Sequence, residues 1–243
     1  MDEIYSNFLF SVAVTAVMNA LDMIYHLATG WAVHLNYVAI KLTVIFIPVW
    51  MITQFIGIGK EEGLVASVIG PSMFYIYYLH AGATLNRNIF KIDEQFWFIF
   101  LHLALMLIAY FATFNFLKSK NHLMRTMSFF VIASFSSIAL DALYLMIRMK
   151  FQGIDEETAA KLMTFSLILI PVLAYIIGVF LGILSQNFTN KKYLDSTIAA
   201  IASAFIIIFF TKDLLHSIFS LVFVFMAYHI VHAAKKSIAS DVG

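Results

Sequence analysis

The chain has 243 residues, of which 62% are hydrophobic and only 12% charged, with a mean hydropathy of +0.91. A soluble domain carries about 25% charged residues because its surface faces water, so a water-exposed globule is excluded and lipid is the solvent that fits. Lys and Arg total 15 against 14 Asp and Glu, leaving no polybasic surface for nucleic acid, and the lack of cysteine removes disulfides, thiolate metal sites and cysteine nucleophiles.

In chain order, eight apolar segments run over about 8–27, 37–57, 63–82, 96–117, 124–147, 161–184, 194–211 and 213–234, each near the roughly 20 residues that cross a hydrocarbon core. They are apolar all round rather than alternating with period two, so they read as helices and not barrel strands. The expectation is an all-α, polytopic transmembrane bundle. The opening Met1-Asp2-Glu3 lacks a positive n-region, so the first run is read as a retained helix. The seventh and eighth runs are parted only by Thr211, Lys212 and Asp213. A single helix through both would be about 60 Å long, twice the bilayer core, so a hairpin is expected.

With eight crossings, one side of the membrane receives Lys60, Lys118, Lys120, Arg125, Lys191, Lys192, Lys235 and Lys236 in its loops and ends. The other receives Arg87, Lys91, Arg148 and Lys150. The positive-inside rule then puts both termini in the cytoplasm of a multi-pass cell-membrane protein.

An internal repeat is expected. Ala20-Leu21-Asp22 with Tyr25 recurs as Ala139-Leu140-Asp141 with Tyr144; Ala39, Lys41 and Leu42 recur as Ala159, Lys161 and Leu162; Ile47-Pro48-Val49 recurs as Ile170-Pro171-Val172. Residues 1–120 and 121–243 would then be two four-helix halves of one membrane domain. An even number of helices per half makes the halves parallel, related by an axis along the membrane normal.

Ionisable residues within the membrane are costly and mark candidate sites. Asp22 and Asp141 lead, with Tyr25, Tyr144 and Arg148 on the same helical faces and Ser134 and Ser137 on the fifth segment. Two readings follow. In one, Asp22, Tyr25, Lys41, Asp141, Tyr144, Arg148 and Lys161 line a substrate or ion path between the halves. In the other, Asp22–Lys41 and Asp141–Lys161 are ion pairs, one per half, that lock adjacent helices. The first makes the chain a small transporter or permease-like protein. Its loops are too short for an ATPase domain, so transport would be secondary or passive.

Five of the eight histidines, among them His26, His80, His102 and His216, map to the outer part of the membrane or just beyond it. Imidazole with carboxylate suits transition metals, so the alternative is a membrane metal- or haem-binding enzyme with these four as ligands. The spacing matches no metalloenzyme motif. His80, Thr84 and Arg87 share one helical face and form a candidate anion site. No lysine lies between Asp213 and Lys235, where a retinal Schiff base would need one, and Glu61 and Glu62 fall in a short loop. The partners implied are the lipid bilayer and either a second copy or a larger membrane complex, in which the chain would be a non-catalytic subunit. Asp155 is placed to cap the sixth helix.

Overall fold

The computed structural model describes residues 2–30, 34–84, 92–119, 121–184 and 194–240. These form eight helices: α1 (Asp2–Thr29), α2 (Leu35–Phe55), α3 (Lys60–Thr84), α4 (Ile92–Lys118), α5 (His122–Gln152), α6 (Glu156–Leu184), α7 (Leu194–Thr211) and α8 (Leu214–Ser240). Among the described residues seven helices, all but α3, are long and apolar enough to cross a membrane. The chain is therefore a multi-pass α-helical membrane protein. α3, with Pro71, three glycines and three tyrosines, packs against two of the spanning helices, α2 and α4. Glu61 and Glu62 lie not in a loop but in the first turn of α3, where the unsatisfied amides of the helix start favour acids.

The helices form an inner and an outer layer. α1, α4, α5 and α8 pack on one another as a central bundle, while the hairpins α2–α3 and α6–α7 lie outside it. Burial is greatest in two of the inner helices. In α1 and α5, 72% and 67% of the spanning residues are buried, against 28–44% in the other spanning helices. The sequence of α1 fits its place. It alternates small residues such as Ala13, Ala16 and Ala20 with a polar face that lipid would not tolerate. The outer helix α6 instead exposes Ile168, Val172, Ile176, Phe180 and Ile183 to lipid.

Small residues line the contact between α5 and α6. Gly178 and Gly182, one turn apart on α6, face α5. A Cβ added at Gly178 would lie 3.1 Å from the Met127 Cα and the Phe130 Cβ, and one at Gly182 would lie 2.6 Å from the Leu123 Cδ1. This is the small-xxx-small arrangement that lets helices approach in lipid. Gly178→Leu is expected to destabilise the protein by about 1–3 kcal/mol, the usual cost of overpacking, read as a fall in midpoint of thermal unfolding in detergent.

The α7–α8 boundary is the expected hairpin. Lys212 takes a left-handed conformation at φ 57°, and α7 and α8 pack side by side. Asp213 closes the turn and starts α8: its Oδ1 accepts the His216 backbone N–H at 2.8 Å, and its own N–H donates to Thr211 Oγ1 at 3.2 Å. Asp155 does the same for α6, its Oδ1 accepting the Thr158 N–H at 2.7 Å. Partial burial pushes the Asp213 carboxyl up, but the His216 amide and the Arg148 guanidinium outweigh it and hold the group below the usual carboxylate range. A lowered folded-state value contributes stability above the ordinary carboxylate range that is lost as pH falls through it. Asp213→Asn, which keeps a capping oxygen, is expected to flatten this acid limb of the stability–pH profile. Asp213→Ala is expected to cost about 1 kcal/mol or more at neutral pH through loss of the cap.

Candidate functional site

The buried charged residues sit near one face of the bundle, where α1 and α5 end and α2, α4, α6 and α8 begin. They form two clusters. In the first, Lys41 of α2 donates a hydrogen bond to Asp22 Oδ2 of α1. Asp22 and Lys41 are 2% and 0% exposed, so this pair stands in the low-dielectric interior. The Lys41 ammonium also lies over the Tyr37 ring, 4.7 Å from its centre. His26, one turn beyond Asp22 on α1, approaches Asp22 Oδ2 at 3.8 Å. His102 of α4 approaches Asp22 Oδ1 at 3.5 Å. His102 Nδ1 donates to the Phe98 carbonyl at 2.8 Å, since a carbonyl only accepts, and that bond turns Nε2 toward the carboxylate. Phe98 and Phe74 pack on the imidazole with ring centres at 4.1 and 5.7 Å.

The second cluster joins α5, α6 and α8. His216 Nε2 lies 2.9 and 3.0 Å from the two oxygens of Asp141, and 3.3 Å from Ser166 Oγ. Asp141 and His216 are 1% and 0% exposed. Tyr144 stacks on His216 and on Phe219, ring centres 6.3 and 4.2 Å apart. Arg148 lies seven residues beyond Asp141 on α5, about 10 Å along the helix, and donates to Asp213 Oδ2 at 2.6 Å. The same Asp213 caps the turn that carries His216, so the pair at the helix boundary is tied to the buried pair below it. At the same end the exposed His34 and Glu156 meet at 2.8 Å and link α2 to α6.

The expected ion pairs are thus half right. Asp22 meets Lys41, but Asp141 does not meet Lys161. Lys161 is exposed and bonds Glu157, four residues earlier on α6, at 2.7 Å. The reason is local. Lys41 has Tyr37 at that position and no acid in the first turn of α2, so among the described residues its carboxylate partner is across the interface. Lys161 has an acid on its own helix and stays outside. The side chain that reaches Asp141 is the His216 imidazole instead. The pairing of Asp22 with His102 of α4 and of Asp141 with His216 of α8 was not read from the sequence. The signal was there: His102 and His216 stand 114 residues apart, close to the 119 that separate Asp22 from Asp141.

The candidate metal ligands divide. His26 and His102 face Asp22, His216 faces Asp141, and His80 is exposed on α3. Among the described residues no three His, Asp or Glu side chains are arranged to hold a metal ion. The loop containing Arg87 lies outside the described residues, as do Lys91, Lys120, Lys191 and Lys192. Tyr25 is half-buried with its ring against His26. Ser134 and Ser137 are buried, and their hydroxyls donate to the carbonyls of Val131 and Ser134 on their own helix.

α1 holds a further feature beyond Asp22. Asn7, Ser11, Thr15, Asn19, Asp22 and His26 step by three or four along one face, the first five fully buried. Ser11 Oγ meets Thr53 Oγ1 of α2 at 2.7 Å, and the Asn7 amide donates to the Thr53 carbonyl at 3.2 Å. From Asn7 to His26 is about 28 Å of helix, close to the roughly 30 Å of a bilayer's hydrocarbon core.

No family model, curated protein or solved structure matches this chain. The class follows from the helices alone: an integral membrane protein whose central helices carry buried acid–base pairs.

Removing one member of a buried ion pair leaves the other charged and unpaired, which costs about 3–5 kcal/mol, whereas replacing both by apolar residues is near neutral or stabilising. Lys41→Ala is therefore expected to lower the unfolding midpoint sharply. The double change Asp22→Leu with Lys41→Met is expected to recover it. If the double variant is no more stable than Lys41→Ala, the pair is not what destabilised the single one.

Proposed function

We propose that the chain is a small transporter or permease-like protein, in which two parallel four-helix halves enclose a polar path. The observation that supports this best is the buried polar face of α1. A helix that needs only to sit in a bundle has no use for six polar side chains in register over the thickness of the bilayer, each of which costs free energy to bury. The packing order adds support. In both halves the first helix contacts the second and the fourth, and the third contacts the second and the fourth. That recurrence fits a duplication of residues 1–120 and 121–243. On this reading Asp22, Tyr25 and Lys41 serve the path from one half, and Asp141, Tyr144 and Arg148 from the other. α3 completes an eighth crossing, and both termini lie in the cytoplasm. With no soluble domain between the helices, transport is secondary or passive.

Purified protein in proteoliposomes tests this with a panel of labelled amino acids, sugars and inorganic ions. Accumulation above empty vesicles is expected for at least one compound, and Asp22→Asn and Asp141→Asn are each expected to slow it about tenfold or more, the effect of losing some 1.4 kcal/mol of barrier lowering. No accumulation of any compound, or equal rates in wild type and both variants, would sink the proposal.

A further inference from the structure

The two clusters are alike except in their basic partner. Asp22 is paired with the amine of Lys41, which is wholly buried and bonded to it. Asp141 has no such partner among the described residues. Lys161 is exposed and bonded to Glu157, and Arg148 is bonded to Asp213 two turns away. What faces both oxygens of Asp141 is the imidazole of His216.

A lone carboxylate in the membrane interior costs several kcal/mol. The Asp141–His216 pair is neutral only when it carries one proton more than a carboxylate with a neutral imidazole. We infer that Asp141 and His216 together hold one exchangeable proton, the counterpart of the buried amine of Lys41, and that the proton is the ion bound along this path. The last clause rests on the transport reading above; the proton site itself does not.

The atoms assign the exchange. In the imidazolium, Nε2–H bonds Asp141 and Nδ1–H is the other acidic proton. Nδ1 is buried and has no hydrogen-bond partner among the described residues. Release of the Nδ1 proton breaks that N–H bond, leaves its electron pair on the ring, and hands the proton to water or to a passing solute. The Nε2–H···Asp141 contact survives, and the pair is left with one negative charge, which drives reprotonation. Imidazole is the side chain whose ordinary titration lies near neutrality.

The charged and titratable groups around His216 are few. α5 supplies Asp141, Tyr144 and Arg148, and the α7–α8 turn supplies Asp213 and Lys212. α6 supplies the neutral Ser166. α1 and α4 place Asp22 and His102 in the other cluster, with Lys41. α7 carries Asp195 at its opposite end.

The test is histidine ¹⁵N NMR of the full chain in lipid nanodiscs over a pH series, with the His216 signal assigned by its loss in His216→Gln, or in His216→Asn if the first does not fold. Expected is a reversible change of that signal from imidazolium to neutral imidazole as pH rises, and no imidazolium form in Asp141→Asn. A single protonation state of His216 over the whole range of constant helical content, or the same titration in Asp141→Asn, overturns the inference. In parallel, proteoliposomes loaded with a pH-sensitive dye are given a potassium diffusion potential. Proton entry is expected in wild type and is expected to be lost in His216→Lys, which installs a fixed ammonium. Titration without proton entry leaves the site standing and removes the transport reading. Entry that persists in His216→Lys, with no titration of His216, does the reverse.

Discussion

A carboxylate inside a bilayer must find a polar partner, and the packing of the helices answers that demand twice. Burial strips these groups of most of their hydration, so each Asp requires a partner brought to it by another helix. Asp22 draws Lys41 from α2 and His102 from α4. Asp141 draws His216 from α8. These contacts tie α1 to α2 and α4, and α5 to α8. Apolar packing, by contrast, discriminates weakly between helix faces, because lipid tails are as apolar as leucine.

The supporting structure is arranged around those pairs. The α7–α8 turn, with its left-handed Lys212 and its Asp213 cap, fixes His216 within one turn of the helix start. The bond from His102 Nδ1 to the Phe98 carbonyl fixes the ring's orientation, as the outer bond of a functional imidazole commonly does. A single apolar cluster takes in Ala20 and Met23, beside Asp22 in the chain, and Ile138 and Ala142, beside Asp141. The two polar clusters therefore border common apolar ground between α1 and α5 and are not isolated at opposite edges of the protein.

Much of this was legible in the residues. Run lengths predict the helices to within a few positions, and Thr211-Lys212-Asp213 was short and polar enough to mark a hairpin. Asp22 and Asp141 stand out because acids are rare among apolar neighbours. The pairing of Asp22 with Lys41 followed from their matched recurrence. The pairing of Asp141 with Lys161 followed from the same recurrence and did not form, because Glu157 offers Lys161 a partner one turn away in water at no desolvation cost. The polar face of α1 was only partly seen: Asp22 was evident, while Asn7, Ser11, Thr15 and Asn19 continue it by steps of three or four.

By itself the sequence determined the solvent. An apolar fraction of 62% cannot be hidden inside 243 residues, so the helices had to face lipid. It also determined which residues would be expensive to place there. Only the tertiary structure decided who pays that cost with whom. Helical periodicity places a side chain on a face, but the partner on that face depends on which helix packs there, and eight nearly uniform apolar rods leave that choice to a few long-range contacts. Hence the His216 imidazole, and not the Lys161 ammonium, stands beside Asp141, while Lys41 stands beside Asp22.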